Sequence, residues 1–186
     1  MLQGGVLCKT GLKRKVNQDR AGMLADGDTC LCYIADGMGG HYAGEKASGL
    51  IAQSLTDWWD GCHEAARRMP LQELAEHFKE LLDGCASQLN REIPEDEYCG
   101  STIVLLWLNG GQYLLLTAGD SRCYRLRRGL LRTEFCQMST DDVYHAKGPE
   151  DAALEGKLTN CIGSQYTAHY TVQTGTAERR PLLSLI

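Results

Sequence analysis

The sequence predicts an α+β domain in which helices pack on antiparallel β-sheets. Segments rich in β-forming residues occupy both ends of the chain, and two helical segments lie between them. Tight turns join the strands, and tight turns connect antiparallel neighbours because parallel strands need long crossover connections. With 186 residues, the chain has the length of one domain and can bury about 70% of the surface that its unfolded form exposes.

The N-terminal part predicts strands arranged around one hairpin. Residues 4–9 are short and mixed in character and are expected to form an opening strand. Residues 21–25 and 29–35 are apolar and flank Asp26-Gly27-Asp28. An Asp-Gly pair between apolar runs is typical of a β-hairpin, since both residues tolerate positive φ. Residues 36–44 are rich in glycine and are predicted to form a loop.

Two amphipathic helices are predicted after this loop. Apolar residues recur at helical spacing over residues 47–58. A second helix begins near Pro70, a residue type that suits the first helical position, and its apolar face covers residues 71–89. Gly61 and Gly84 are expected to be weak points or ends of these helices.

The rest of the chain predicts a further set of antiparallel strands. Residues 102–108 are apolar, Asn109-Gly110-Gly111 is a hairpin turn, and residues 112–118 form the returning strand. The remaining predictions are strands at 122–127 and 130–138, an irregular loop at 139–157, a helix end or turn at 158–163, and weak strand character from Tyr166.

Composition excludes several classes of protein. The 24 acidic and 19 basic residues give a net charge of −5, which disfavours nucleic-acid binding through a basic surface. No apolar run approaches the ~18 residues of a membrane-spanning helix, and no signal peptide is visible, so a cytoplasmic protein without a membrane partner is expected. The nine cysteines lack the Cys-x-x-Cys spacing of structural zinc sites. We expect most of them to be small buried hydrophobes.

The densest cluster of chemistry-bearing residues follows the predicted strand that ends at residue 35. The sequence Asp36-Gly37-Met38-Gly39-Gly40-His41 places a carboxylate at a strand end, followed by glycines that let the backbone approach a ligand. This pattern favours a site for Mg²⁺ or Mn²⁺, which bind carboxylate, carbonyl and water oxygens. A dinucleotide loop is disfavoured because the third glycine position would fall on Tyr42 and Asp36 would face a pyrophosphate. The alternative that stays open is a turn in which Asp36 only caps a helix.

Three other loops carry polar groups of interest. In Lys13-Arg14-Lys15-Val16-Asn17-Gln18-Asp19, Arg14 could bind a phosphate in a bidentate fork and Asp19 could join a metal site. The alternative is an exposed charged turn. Gly119-Asp120-Ser121-Arg122 interrupts an apolar strand, so Asp120 either pairs with a base such as Arg122 or binds a metal. Gly100-Ser101-Thr102 is expected to provide hydrogen bonds at a strand start only.

Together these loops resemble the type-2C, metal-dependent serine/threonine protein phosphatases in their bacterial form. They occur in the family's order between about residues 5 and 165, and five motifs in order are far more specific than any one alone. The matching motifs are Arg14-x-x-Asn17-Gln18-Asp19, Asp36-Gly37-Met38-Gly39-Gly40-His41-x-Ala43-Gly44-Glu45-x-Ala47-Ser48, Gly100-Ser101-Thr102, Ala118-Gly119-Asp120-Ser121-Arg122 with Tyr124, and Leu158-Thr159-x-x-Ile162-Gly163.

The resemblance implies one phosphatase domain over residues 1–186, with two antiparallel sheets packed face to face and flanked by helices, a four-layer αββα sandwich whose last strands are missing. It implies two Mn²⁺ or Mg²⁺ ions between the sheets. Asp36 would bridge both ions, the Gly37 carbonyl would bind one, Asp19 would hold one through water, and Asp120 would belong to a further, weaker site. Arg14 would bind the substrate phosphate. Metal-activated water or hydroxide would attack phosphorus.

The resemblance also implies a function in bacterial signalling. The expected substrates are proteins phosphorylated on serine or threonine, so the enzyme would oppose a protein kinase. Met38 occupies the place where eukaryotic relatives have a histidine, and His41 either lines the mouth of the site or forms a local hydrogen bond. The family has two further metal-binding aspartates near its end, whereas no Asp follows Asp151 here. We therefore expect weak metal binding and low or no turnover, with a non-catalytic phosphatase-like binding or regulatory domain as the alternative function.

Overall fold

The computed structural model describes residues 3–12, 15–39, 43–128, 133–165, 167–177 and 182–186. The helices are α1 (Ala43–Ala66), α2 (Leu71–Glu92) and a single 3₁₀ turn (Ala152–Leu154). The strands are β1 (Asp19–Asp26), β2 (Thr29–Gly39), β3 (Cys99–Ser101), β4 (Ile103–Asn109), β5 (Gln112–Ala118), β6 (Cys123–Arg128), β7 (Thr133–Gln137), β8 (Ile162–Gly163), β9 (Thr171–Thr176) and β10 (Leu182–Leu185).

The strands form two antiparallel sheets. In the larger sheet the order is β8-β3-β2-β4-β5-β9, and β1 also pairs with β2; in the smaller sheet the order is β10-β6-β7. Both hairpins expected in the larger sheet are confirmed. Asp26 pairs with Thr29 and Asn109 pairs with Gln112, so each turn has two residues. Gly27, Gly110 and Gly111 all have positive φ, which such turns require.

The central strands β2, β4 and β5 of the larger sheet are buried on both faces because they are apolar on both sides. One face packs against α1 and α2 through a core that includes Leu31, Leu105 and Trp107. The opposite face packs against the smaller sheet, where Leu106 and Cys123 belong to one buried cluster. The prediction of two antiparallel sheets packed face to face with helices is therefore confirmed. Within the described ranges the helices cover one side of this pair of sheets.

Several local predictions were wrong. Residues 4–9 belong to no strand; their side chains are exposed, so no buried face holds them in a sheet. The glycine-rich segment is not a loop from residue 36, because β2 continues to Gly39 and pairs with β3. Residues 162–163 form β8 rather than a helix end. The strands predicted at 122–127 and 130–138 correspond to β6 and β7, and residues 129–132 between them lie outside the described residues.

The two helices are longer than the glycines suggested. Gly61 and Gly84 lie inside α1 and α2, respectively, since a helical glycine costs only about 1 kcal/mol and both helices are anchored by buried apolar residues. The second helix begins next to Pro70, as predicted, but Pro70 is the N-cap of α2, with a ψ of 139°, rather than its first helical residue. Neither helix has, in the part of the chain that the structure describes, the apolar length needed to cross a bilayer.

Candidate functional site

The β1–β2 hairpin brings Asp19 and Asp36 together. The two residues are directly opposite each other in the register of the hairpin, at the end far from its turn. Asp36 is exposed although its neighbours Ala35 and Gly37 are buried. Its backbone is fixed by Thr102, whose hydroxyl accepts the Asp36 N–H at 3.1 Å and whose own N–H donates to the Asp36 carbonyl at 3.0 Å. The strand end therefore presents the Asp36 side chain from a rigid position.

Contacts with Asn17 and Arg20, its neighbours in the chain, fix the position of Asp19. The side-chain carbonyl of Asn17 accepts the Asp19 N–H at 3.1 Å, and the Asn17 amide donates to the Cys8 sulfur at 3.0 Å. The guanidinium of Arg20 donates to the carbonyls of Asn17 and Asp19 and pairs with Glu45 at 2.9 Å. These contacts join the start of β1 to the first turn of α1.

The glycines near Asp36 permit a close contact between β2 and the start of α1. A Cβ atom on Gly37 would lie 2.5 Å from the Gln18 carbonyl oxygen and closer still to the Gly44 carbonyl oxygen. The Ser48 hydroxyl donates to the same Gln18 carbonyl at 2.5 Å. Gly37 and Gly44 are therefore required by backbone approach, and α1 supports the strand ends that carry Asp19 and Asp36.

Asp120 lies at the bend between β5 and β6. Gly119 has a φ of 107°, and Ser121 shares a 2.6 Å hydrogen bond with the Thr102 hydroxyl. The same threonine thus contacts both the Asp36 segment and the Asp120 segment. Ser101 donates to the Thr102 carbonyl at 2.9 Å, so Ser101 and Thr102 form structural hydrogen bonds, as expected.

Asp120 does not pair with Arg122. The Arg122 guanidinium instead forms a bidentate ion pair with Asp141. This contact lowers the pKa of the Asp141 carboxyl, with hydrogen bonds from Arg122 as the largest cause, and raises the pKa of Arg122. Asp120 is exposed and lines the pocket described next. The sequence-based alternative of an Asp120–Arg122 pair is therefore wrong.

All three predicted carboxylates line one pocket of about 420 Å³. Asp19 and Asp36 reach it from the β1–β2 hairpin, and Asp120 reaches it from the bend before β6. Lys9 and Arg20 also line this pocket. Carboxylate oxygens such as those of Asp19, Asp36 and Asp120 suit Mg²⁺ and Mn²⁺. These three side chains therefore fit the metals that the sequence implied.

The carboxylates are spread over the pocket rather than gathered at one point. Among the described residues, the only group of three or more metal-binding side chains with all ligand atoms within 4.8 Å of one another is elsewhere, at Asp26, His63 and Glu64. A two-metal centre distributes its ligands over ions about 3.5–4 Å apart. Asp19, Asp36 and Asp120 therefore do not form a single tight cage in this structure, and the ligands of a two-metal centre need not all lie so close to one another.

Two of the predicted site residues, Arg14 and His41, lie outside the described ranges.

Asp142, which supports the Asp120 bend, was not identified from the sequence. Its carboxylate accepts hydrogen bonds from the Gly119 N–H at 2.9 Å and from the Asn160 amide at 2.7 Å. The adjacent pair Asp141-Asp142 in an otherwise irregular loop was the available sign of this support.

Comparisons with known proteins agree with this geometry. The sequence model of the family described as Protein phosphatase 2C matches residues 12–144. Serine/threonine phosphatase stp of Listeria monocytogenes is 31% identical over 130 residues, which cover 66% of this chain and 49% of that protein. The chain therefore spans about half the length of this relative.

Two solved structures are similar over almost the whole chain. The serine/threonine phosphatase of S. agalactiae has a TM-score of 0.78 and 22% identity, over 95% of this chain and 75% of that one. The catalytic domain of the serine/threonine protein phosphatase PstP, in complex with two manganese ions, has a TM-score of 0.68 and 27% identity, over 96% and 74%. Since these structures cover 95% and 96% of the chain, the likeness of the fold extends past residue 165, where the motifs end. The chain belongs to the protein phosphatase 2C family.

Proposed function

We propose that this protein is a metal-dependent phosphatase that removes phosphate from serine and threonine residues of phosphorylated proteins. The observation that carries the proposal is the pocket in which Asp19, Asp36 and Asp120 meet, in a chain of the protein phosphatase 2C family. The name of the Listeria relative supports the same activity. Such an enzyme would oppose a protein kinase, and we place it in the cytoplasm.

The metal centre that we propose contains two Mn²⁺ or Mg²⁺ ions, and the manganese-bound PstP structure supports this choice. Asp36 would contact both ions, the Gly37 carbonyl one, Asp19 one through water, and Asp120 a further ion. When bound, such ions lower the pKa of water and neutralise charge on phosphoryl oxygens. The chain itself positions the ligands: the Thr102 hydroxyl accepts the Asp36 N–H and also shares a hydrogen bond with the hydroxyl of Ser121, next to Asp120.

Cationic side chains would bind the substrate phosphate. Arg14 is proposed for this role, since a guanidinium can form two parallel hydrogen bonds with phosphate. Lys9 lines the pocket and adds a positive charge there. His41 is proposed to lie at the mouth of the site.

The test is release of inorganic phosphate from a phosphothreonine peptide in the presence of Mn²⁺. Because few anionic side chains line the pocket, we expect low but measurable activity that a chelator abolishes and that Asp36→Asn reduces to background, since a neutral amide is a poor ligand for a hard cation. The matched control is Asp28→Asn, an exposed aspartate in the turn at the opposite end of the same hairpin. Equal activity of Asp36→Asn and wild type would refute the proposed centre.

A further inference from the structure

Ser121 brings a nearly buried hydroxyl to the pocket of the carboxylates. It lines this pocket together with Asp36 and Asp120, and its exposed fraction is only 8%. Its hydroxyl oxygen lies 2.6 Å from the hydroxyl oxygen of Thr102, a residue that is 1% exposed. Because buried polar groups are normally hydrogen-bonded, the direction of this hydrogen bond decides which atoms Ser121 has left for a ligand.

Thr102 donates the hydrogen bond that the two hydroxyls share. The Thr102 hydroxyl oxygen already accepts the Asp36 N–H at 3.1 Å, so its own hydrogen still needs an acceptor. Among the described residues, the Ser121 hydroxyl oxygen is the acceptor within reach of that hydrogen. Leaving a hydroxyl hydrogen unpaired at a buried site is costly, so the hydrogen-bond network assigns the hydrogen of this bond to Thr102.

The hydrogen of the Ser121 hydroxyl is therefore available to a group in the pocket. A serine hydroxyl has one donor and two acceptor lone pairs, and the bond from Thr102 uses one lone pair only. In the described part of the chain Thr102 is the partner of this hydroxyl, so the adjacent Asp120 carboxylate does not accept its hydrogen. Ser164 differs, since its buried hydroxyl accepts the Cys99 N–H at 3.2 Å and donates to the Cys99 carbonyl at 3.3 Å.

A negatively charged ligand oxygen suits the Ser121 donor best. A hydrogen bond to an ionised oxygen is shorter and roughly twice as strong as one between neutral groups. The Lys9 ammonium lines the same pocket and attracts anions to it, as would the metal ions proposed at Asp36. A phosphoryl group carries several charged oxygens, so one of them can accept from Ser121 while the others face the cations.

We propose that Ser121 binds the phosphoryl group of the substrate by donating a hydrogen bond to one of its oxygens. The inference rests on the proposed phosphatase function and deepens it, because it adds a neutral donor to the cationic groups that bind phosphate. Thr102 acts through Ser121 and is a positioning residue, since its own hydrogen bond orients the Ser121 hydroxyl. A contact that forms as soon as the phosphoryl group is bound should lower KM more than it raises kcat.

The test measures two properties of Ser121→Ala at saturating Mn²⁺. One is the affinity for inorganic phosphate, by isothermal titration calorimetry, and the other is KM and kcat for a phosphothreonine peptide. We expect phosphate affinity to fall about tenfold and KM to rise by a similar factor, as for a lost hydrogen bond to a charged group. We expect kcat to stay within about twofold of wild type.

Two further variants separate the hydrogen bond from the packing of this side chain. Ser121→Cys keeps nearly the same size but has only a weak S–H donor, so it should show most of the loss of phosphate affinity. Ser121→Thr keeps a hydroxyl and should retain the affinity of wild type. Circular dichroism shows which of the three variants fold, and the comparison is made among those that do.

The matched control is Ser164→Ala, the same substitution at a buried serine that does not line the pocket. It should lower stability by removing the hydrogen bonds with Cys99 and leave phosphate affinity unchanged. Phosphate affinity equal to wild type in Ser121→Ala or Ser121→Cys would overturn the inference. So would a parallel loss of Mn²⁺ affinity in these variants, because Ser121 would then be a metal ligand instead of a phosphate donor.

The same measurements distinguish this inference from the proposed function. Phosphate binding that Ser121→Ala weakens, in a chain that hydrolyses no phosphoester, would refute the phosphatase function and support the role of Ser121. Hydrolysis by Ser121→Ala with the KM of wild type would support the function and refute that role. Absence of phosphate binding to wild type at saturating Mn²⁺ would refute both.

Discussion

Gly37 shows how one residue positions the candidate site. The backbone of β2 passes so close to Gly44 of α1 and to the Gln18 carbonyl that no side chain fits between them. The sequence indicated that glycine near Asp36 allows a close backbone approach. It did not indicate that the approaching group is the start of α1, because residues 37 and 44 meet only after β2 and α1 have packed.

We predict that Gly37→Ala destabilises the fold by about 2–3 kcal/mol, because overpacking forces the backbone of β2 and α1 apart. The control Gly61→Ala introduces the same methyl group into the interior of α1, where the added carbon meets no atom within 4 Å apart from the neighbouring backbone of the helix itself. Removing a helical glycine should there stabilise the protein by about 0.5–1 kcal/mol. Urea unfolding followed by circular dichroism measures both changes, and equal effects of the two variants would contradict the account.

At the scale of elements, Arg122 and Asp141 connect the start of β6 to the loop after β7. The ion pair lies next to Asp142, whose carboxylate holds the Asp120 bend through the Gly119 N–H. The pKa of Asp141 is lowered in the folded protein, mainly by hydrogen bonds from Arg122. A carboxyl whose pKa is lower in the folded than in the unfolded state stabilises the fold above its unfolded pKa of about 3.9.

We predict that Asp141→Asn lowers the free energy of unfolding at pH 7, and that its difference from wild type disappears as the pH falls through the lowered pKa of Asp141. The effect should be modest, since Arg122 is 47% exposed at its side chain and solvent screens the pair. Thermal unfolding between pH 7 and pH 2 measures it. Arg122→Gln should remove the same pH-dependent part of the free energy of unfolding. If the losses in the two single variants added up in the double variant, the two residues would not act as a pair, and the prediction would be wrong.

Turn sequences and apolar spacing predicted the two hairpins of the larger sheet and the two helices, because these elements depend on residues close together in the sequence. The Asp-Gly and Asn-Gly-Gly turns give two-residue hairpins because their residues accept positive φ, and the apolar spacing of α1 and α2 places them on the sheet. The extension of β2 to Gly39 depended on pairing with Cys99–Ser101, about 60 residues later. The partner of Arg122 was likewise 19 residues away. The length of β2 and the partner of Arg122 therefore depend on tertiary contacts, which the positions of glycines and charges in the sequence do not specify.

At the scale of the whole molecule, most of the cysteines belong to the core. Five of the nine are buried, Cys32 is half-buried, and three are exposed, at Cys8, Cys62 and Cys136. Burial raises the pKa of the Cys123 thiol to about 12 and also raises the pKa of Cys85, Cys99 and Cys161. A thiol with a raised pKa has little thiolate, which is the reactive form.

We predict that a thiol reagent at pH 8 labels three cysteines rapidly in the folded protein and all nine in urea. Mass spectrometry of the labelled protein counts the modified residues. The triple variant Cys8→Ser, Cys62→Ser, Cys136→Ser should lose the rapid phase and keep its fold. Rapid labelling of Cys123 in the native state would contradict the burial of the contact between the sheets.

The account as a whole rests on the three carboxylates of one pocket. Asp19, Asp36 and Asp120 are the acidic side chains that line the described pocket, and Lys9 and Arg20 add positive charge to it, so we expect Mn²⁺ to bind weakly. Weak binding at Asp36 is still specific, because the hairpin and Thr102 fix the position of this residue. Asp120, on a different strand connection, should contribute less than Asp36.

The most direct measurement is a Mn²⁺ titration of wild type, Asp36→Asn and Asp28→Asn, followed by electron paramagnetic resonance of the free ion. The account predicts saturable binding to wild type and to Asp28→Asn, and loss of that binding in Asp36→Asn with the fold retained by circular dichroism. Identical binding isotherms for wild type and Asp36→Asn would contradict it.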